Sequence, residues 1–486
     1  MSGKNARGPA DTGRPVIFGA GPLLVPSVVT FRAMSKQPAT PPPAYFLSLS
    51  LENVRSFGEK QTISFAREDG RPAQWTIILG DNGVGKTTVL KALAALRPIK
   101  TGFSDEDHLM PAYMEMNVSR WKPIRHSGEG TTIMSCITHI GSKLADVSHS
   151  VVGTYSVMIP SPEAQKRDKY IIHIPVVDSE NAELKCYGYG AGRTTGTTTL
   201  GASESPAEDN CSSLFDDRAD LLNPEEWFLQ KMLSSYVNQG GAKSALVQIE
   251  SVRQALLQVL PDVADIQIKS NKQQQQQLEL LTPYGWVRLR DMSLGYQTLV
   301  VWLTDFASKL FIRYPDSPNP LEMPAIVLID EIDLHLHPSW QRKLIGFLSG
   351  IFKNTQFIAT AHSPLVVQAA GDANANVVLL KREGDQTVVV QDLEDVRGWR
   401  IDQIMTSELF GLETARSRET EAKMVERAGL LSKARLTAAE KKRLQELTQE
   451  LDQQPLGETP SEREVHDVLQ QLRQKLGRNP SDAPAR

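Results

Sequence analysis

Ile77-Ile78-Leu79-Gly80-Asp81-Asn82-Gly83-Val84-Gly85-Lys86-Thr87-Thr88 is the stretch from which the fold can be read. The short run Thr76–Leu79, apolar after its first residue, leads straight into Gly80, and this predicts a buried strand. Residues 86–96 are rich in Ala, Leu and Lys with Pro98 just beyond them, which predicts a helix. Between the two lies a complete G-x-x-x-x-G-K-[ST] pattern. A strand, a tight glycine loop and a helix let backbone N–H groups turn inward around phosphate oxygens, helped by the positive end of the helix. Gly80, Asp81, Asn82, Gly83, Val84 and Gly85 would form the cradle. Lys86 would reach the outer phosphates, and Thr87, followed by Thr88, would offer a hydroxyl to Mg2+. The expected ligand is ATP with Mg2+.

A second apolar run, Ile326-Val327-Leu328-Ile329, ends in Asp330-Glu331. A fully buried parallel strand has this make-up, and it would deliver two carboxylates to its C-terminal edge, where open α/β sheets bind ligands. Asp330 would hold the Mg2+ shell, and Glu331 would orient and deprotonate the attacking water. Strands ending in Asp-Glu are common. Downstream of a complete phosphate loop, however, the pair is the expected partner.

Two further segments acquire meaning from their order in the chain. Met292-Ser293-Leu294-Gly295-Tyr296-Gln297 opens an expected helix, and in isolation it reads as a helix N-cap. Placed ahead of the Asp-Glu strand, it resembles the signature motif of ABC-type ATPases, with Ser293 and Gly295 matching and Met292, Leu294 and Tyr296 departing from it. The Ser-x-Gly-Tyr form is similar to RecF-like and OLD-like ATPases. In that family the signature binds the γ-phosphate held by the other subunit of a head-to-tail dimer. Thr360-Ala361-His362-Ser363-Pro364 follows another buried run and resembles the family's switch histidine, which implies a γ-phosphate sensor at His362. The catalytic set is therefore expected to be Lys86, Glu331 and His362. The family's Q-loop glutamine is not identifiable, since residues 98–160 contain no Gln. His335 and His337 lack a third ligand nearby and fit a metal poorly; the resemblance implies a dimer contact for this segment, with Asp333 included.

The remaining sequence bounds the architecture. The 486 residues suffice for a large core, and a formal net charge of −4 argues against coating nucleic acid by bulk charge, leaving binding through a local patch open. Cys136, Cys186 and Cys211 form no CxxC pair, which fits a reducing, cytoplasmic compartment. No stretch approaches the roughly 20 apolar residues of a membrane span. Residues 1–44 read as a disordered leader, with Met34 a possible start. A hairpin is expected from 46–54 and 62–65, strands at 151–159 and 170–177, helices at 224–236 and 244–260, and a meander at 266–269, 278–282 and 286–289. The run 273–277 of glutamines reads as an exposed turn and 188–217 as loop-rich. Helices follow at 295–311 and 340–352, a strand at 356–360, and a hairpin at 377–381 with 387–391.

These elements predict an α/β fold, a P-loop NTPase of ABC-ATPase type with an inserted lid and helical lobe. The expected divisions are 1–44, a first half of the core at 45–100, the insertion at 101–262, a second half at 263–400, and a charged helical tail at 401–486. About 200 residues separate Lys86 from Ser293, too few for the coiled-coil arms of SMC proteins.

The run Leu328-Ile-Asp-Glu-Ile-Asp-Leu-His-Leu-His-Pro-Ser-Trp-Gln341 and the run Tyr187-Gly-Tyr-Gly-Ala-Gly-Arg193 resemble the bacterial family of predicted ATP-binding proteins involved in virulence. Gly398-Trp-Arg-Ile-Asp402 and Leu409-Phe-Gly-Leu412 are similar to it as well. Its members include ATPase subunits of Septu-type and retron-associated anti-phage systems. The resemblance implies a homodimer or higher homo-oligomer that acts with a separate nuclease or toxic effector. No nuclease motif is evident in this chain. A RecF-like DNA clamp is the alternative, and a transporter ATPase is disfavoured by the missing Q-loop.

Overall fold

The computed structural model describes residues 44–100, 109–114, 121–125, 131–140, 151–159, 185–193, 210–217, 219, 221–237, 242–270, 276–433 and 435–452. The leader at 1–43, most of the loop-rich stretch, and the strand expected at 170–177 lie outside the described residues.

Fifteen strands and ten helices are described. β1 (Ala44–Glu52) and β2 (Gln61–Ser64) form the expected hairpin, and β3 (Trp75–Gly80) runs into the glycine loop ahead of α1 (Lys86–Leu96). β4 (Pro98–Lys100) pairs with β5 (Leu109–Pro111), and the long strands β6 (Thr132–Ile140) and β7 (Val151–Ile159) follow. Then come β8 (Cys186–Tyr189), α2 (Ser212–Phe215), α3 (Pro224–Val237) and α4 (Ala242–Val259). The meander is β9 (Asp265–Ser270), β10 (Gln276–Thr282) and β11 (Gly285–Arg288). The rest of the core is α5 (Leu294–Arg313), β12 (Ala325–Ile329), α6 (Pro338–Ile351), β13 (Thr355–Thr360), α7 (Pro364–Asp372), β14 (Asn376–Glu383) and β15 (Gln386–Val390). α8 (Ile401–Thr406), α9 (Arg418–Leu431) and α10 (Ala438–Asp452) end the described chain.

Two sheets position the site. The larger has the order β15-β14-β3-β13-β12-β8, with every neighbouring pair parallel except the β14–β15 hairpin. The second is antiparallel, in the order β2-β1-β6-β7. Strands covered on both faces are built largely from apolar side chains. β12 is apolar throughout, and β3 as far as Leu79 and β13 are buried along their length, with Thr76, Thr355, Gln356 and Thr360 as their polar positions. Alternation then divides them between two cores. Ile77, Val327 and Phe357 face one cluster with α5 and α6, whereas Ile78, Ile326, Leu328 and Ile358 face a second with α1.

That second core explains the composition of α1. Val89, Leu90, Leu93 and Leu96 have no exposed surface, and Ala92, Ala94 and Ala95 are equally buried. The helix touches β6 and β7 of one sheet and β3, β12 and β13 of the other, and only Thr87 and Lys91 along it are not buried. Complete burial of each Leu or Val is worth about 1.5–3 kcal/mol, which holds the start of the helix, and with it the glycine loop, in place. The sheets are also joined by Gln356, fully buried on β13. Its amide accepts from Phe46 N–H and donates to Phe46 C=O, both at 2.8 Å, where β1 slips register.

Several expectations need correction. The stretch 188–217 is not uniformly loop, because Gly188 and Tyr189 belong to β8, the edge strand beside β12. Its neighbours explain this: Gly188 and Gly190 lie against Leu214 and Ser213, too close to admit a Cβ. The glutamine run is not all exposed turn either, since Gln276 and Gln277 open β10 and Gln277 is buried. Residues 273–275 lie outside the described residues. The strand β6, which pairs with β1 along its length, was not anticipated, and neither was α7. Among the described residues no helix is long and apolar enough to cross a membrane.

Candidate nucleotide site

The loop after β3 is shaped by glycine. Gly80, Gly83 and Gly85 all have positive φ, and a Cβ on Gly85 would meet Ser56 Oγ at 2.5 Å. Two hydroxyls brace the loop: Thr387 donates to Val84 C=O at 2.9 Å and Ser56 to the same oxygen at 3.2 Å. Gly85, left-handed at φ 97°, ends the loop and begins α1, and no side chain caps that helix end. The first-turn N–H groups of α1 are therefore not occupied by a side-chain cap. Lys86 folds back over the loop, donating to Gly80 C=O at 2.7 Å and Asp81 C=O at 2.8 Å. Burial pushes its ammonium pKa down, while Asp330, Glu331, Asp81 and Asp333 pull it up.

The two carboxylates arrive from β12, separated from β3 by β13. Asp330 is buried, and both of its oxygens are engaged: Thr87 Oγ1 donates to Oδ2 and Thr360 Oγ1 to Oδ1, each at 2.7 Å. The Thr360 hydroxyl also accepts the Glu331 N–H at 2.7 Å. Glu331 itself has φ 50°, a region that side-chain-bearing residues seldom occupy. Its carbonyl is held by the buried Arg193, whose Nη2 donates to Glu331 C=O at 2.6 Å and to Asp330 C=O at 3.0 Å.

Lys86, Thr87, Thr88, Asp330, Glu331 and His362 line one cavity of about 340 Å3, together with Asn82, Gly83 and Gly85. Arg55 and Ser56, from the turn between β1 and β2, line it too. His362 is exposed, and its N–H donates to Asp333 Oδ2 at 3.0 Å. Asp333 therefore touches the switch segment of its own chain. Gln341 extends that link by donating to Asp333 C=O and Leu336 C=O and accepting from Ser363 Oγ at 2.6 Å.

Ser293 and Gly295 do not line this cavity. Ser293 is the exposed N-cap residue of α5, with no side-chain cap bond, and Leu294 beside it is 58% exposed. Gly295 is buried where a Cβ would come within 2.6 Å of the His335 carbonyl oxygen. His335 has φ 62°, and His337 caps α6 by accepting the Ser339 N–H on Nδ1 at 3.3 Å.

Sequence reasoning assigned no role to Arg193, Tyr189, Arg55, Ser56 or Thr360. Arg193 stands at the end of the Tyr187–Arg193 run, in the loop leaving the strand next to the carboxylates. The position beside the Asp330 and Glu331 carbonyls is held by this arginine. The signal available was the run Tyr187-Gly-Tyr-Gly, since a strand with so little bulk needs close neighbours.

The oxygen set of Thr87 and Asp330 suits a hard divalent cation. A cavity with a glycine loop, a buried ammonium and two carboxylates can hold a polyphosphate and direct water at it.

Comparison with known proteins places both halves of this site in ATPase sequence. Residues 214–368 match a family described as "AAA domain, putative AbiEii toxin, Type IV TA system", and residues 48–96 match one described as "AAA domain". The first stretch contains Ser293, Asp330, Glu331 and His362, and the second contains the glycine loop. Septu protein PtuA of Bacillus mycoides (strain KBAB4) is 25% identical over 364 residues, 75% of this chain and 44% of that protein. Retron Ec83 probable ATPase of Escherichia coli is 34% identical over 181 residues, 37% of this chain and 30% of its own length. Septu protein PtuA of Bacillus thuringiensis is 26% identical over 354 residues, 70% of this chain and 79% of that protein. The chain spans less than half the length of the first two.

Proposed function

From a chain that carries an AAA-type ATPase domain homologous to Septu PtuA and retron ATPases, we propose an ATPase that controls a separate effector in an anti-phage system. The observation that carries the ATPase reading is the contact between Thr87 and Asp330, which brings the glycine loop and the carboxylate strand to one point.

Each residue then has a task. The N–H groups of 80–88 cradle the phosphates, and Lys86 exchanges its loop carbonyls for β- and γ-phosphate oxygens. Thr87 and Asp330 would hold Mg2+, which when bound would offset the negative charge of the phosphates. Glu331 accepts a proton from the attacking water, and His362 reports the state of the γ-phosphate.

Exposure of Ser293 at the head of α5, away from the cavity of its own chain, supports a composite site in which a second copy supplies it. ATP then drives head-to-tail pairing, and hydrolysis times the contact with the effector, a nuclease in the cytoplasm. The test is phosphate release and mass in solution for the wild type and for Glu331→Gln with Mg-ATP. Turnover in the wild type and a doubled mass in the variant are expected. No turnover at any protein concentration would sink the ATPase reading, and an unchanged mass would sink the composite site.

A further inference from the structure

We propose that Arg193 is the positioning residue for Glu331, fixing the backbone from which the base reaches the water; this rests on the ATPase reading above. Arg193 is 6% exposed, and burying a guanidinium is costly unless its donors are used. Two of them meet Asp330 C=O and Glu331 C=O, from a single nitrogen, at 3.0 and 2.6 Å. The Nε–H is buried without a partner among the described residues. Three carboxylates, Asp330, Asp333 and Glu331, compensate the charge, so although burial lowers the pKa to about 10 the group remains a cation at neutral pH.

Glu331 needs such a clamp. At φ 50° it sits where the backbone would relax if released. Its N–H is tied to Thr360 on β13, and its C=O is tied to Arg193 in the loop after β8. With its N–H and C=O both held, the backbone of Glu331 and the direction in which its Cα–Cβ bond leaves it are fixed. The loop is anchored in turn through β8: Tyr189 C=O accepts the Asp330 N–H at 2.8 Å, and the Tyr189 hydroxyl donates to the buried Asp305 at 2.7 Å. Asp305 lies on α5, the helix that Ser293 begins, so the clamp on the base and the helix carrying the signature share one support.

The experiment compares full-length wild type with Arg193→Met and Arg193→Lys for steady-state hydrolysis and for the affinity of a fluorescent ATP analogue. For Arg193→Met, kcat should fall by about 30-fold or more, with analogue affinity within roughly threefold, because an ångström-scale misplacement acts on chemistry rather than binding. Arg193→Lys should recover part of the loss, since both contacts come from one nitrogen that an ammonium can replace. If Arg193→Met does not fold, Arg193→Gln is read in its place. A wild-type kcat in the folded variant would overturn the inference, as would an affinity that falls by the same factor as kcat. A wild type that binds the analogue but releases no phosphate would sink the ATPase reading and this inference together. Turnover in the wild type beside an equally fast Met variant would sink this inference alone.

Discussion

Thr87 and Asp330 stand 243 positions apart in the chain, yet the threonine hydroxyl donates to the carboxylate across 2.7 Å. One residue opens α1 and the other follows β12, with β13 lying between their strands. The approach is possible because α1 is packed against both sheets, which leaves its first turn little freedom to move away. Each end of this contact can be tested.

Lys86→Ala should abolish ATP binding while leaving the fold intact. The lysine donates to the carbonyls of Gly80 and Asp81, residues with solvent access of their own, so its removal relieves a buried charge and leaves acceptors that water can reach. Calorimetric titration with Mg-ATP should show at least a roughly 100-fold loss of affinity, the scale of a charge-assisted contact to phosphate. A melting temperature within a few degrees of the wild type would be expected alongside it.

Thr360→Val tests the hydroxyl shared by Asp330 and Glu331. The substitution keeps shape but leaves the Glu331 N–H without its acceptor and Asp330 Oδ1 without a donor. An unsatisfied buried group costs about 1–3 kcal/mol, so urea unfolding should show a loss of that order. Turnover should fall more than ATP affinity, because the N–H belongs to the base. A variant as stable and as active as the wild type would contradict the assigned geometry.

Gly295→Ala probes the start of α5. The new Cβ would meet the His335 carbonyl oxygen at 2.6 Å, and both groups are tied to backbone. His335 lies in a turn closed by Leu334 N–H to Glu331 C=O at 3.1 Å and by Leu336 N–H to Asp333 C=O at 3.2 Å. Overpacking of this kind costs about 1–3 kcal/mol, and the displacement should reach the segment that follows Glu331. Chemical denaturation with a parallel activity assay reads both effects.

How much of this could be read in advance varied with the kind of signal. The strand at 76–79, the helix at 86–96 and the strand ending at Ile329 declare themselves by runs that only a buried element needs, and the structure has them there. Lys86, Thr87, Asp330, Glu331 and His362 were legible because motif order implies that their elements neighbour one another. Arg193 was not. Nothing in Gly190-Ala191-Gly192-Arg193 says that its guanidinium is buried, since that follows from β8 pairing with β12, more than 130 positions later. β6 is illegible for the same reason: its alternation is blurred by Ile133 and Ile137 on the more exposed face and by Thr138 on the buried one, and its partner β1 lies far back in the chain.

Tyr189→Phe isolates the support shared by β8 and α5. The hydroxyl is buried and donates to Asp305, which also receives Lys309 at 2.8 Å and the Leu222 N–H at 3.3 Å. Burial and the neighbouring carboxylate raise the phenol pKa well above its ordinary value, so it stays a donor throughout the working range. A hydrogen bond to a charged group contributes about 1.5–3 kcal/mol, and the loss should appear in equilibrium unfolding. Because Asp305 retains two partners, ATP affinity should change little.

The composite site makes the sharpest demand, because it predicts activity from two inactive proteins. Lys86→Ala spoils the glycine loop and Ser293→Arg spoils the signature, so each alone should be inactive in a head-to-tail dimer. In a mixed dimer, one cavity combines the damaged loop with the damaged signature and stays silent. The other combines the intact loop of the Ser293→Arg copy with the intact signature of the Lys86→Ala copy. Random pairing makes half of the dimers mixed, so an equimolar mixture should regain about a quarter of wild-type turnover if the two cavities act independently. Were Ser293 to serve only as the cap of its own helix, mixing would restore nothing, and the cavity described above would be complete within one chain.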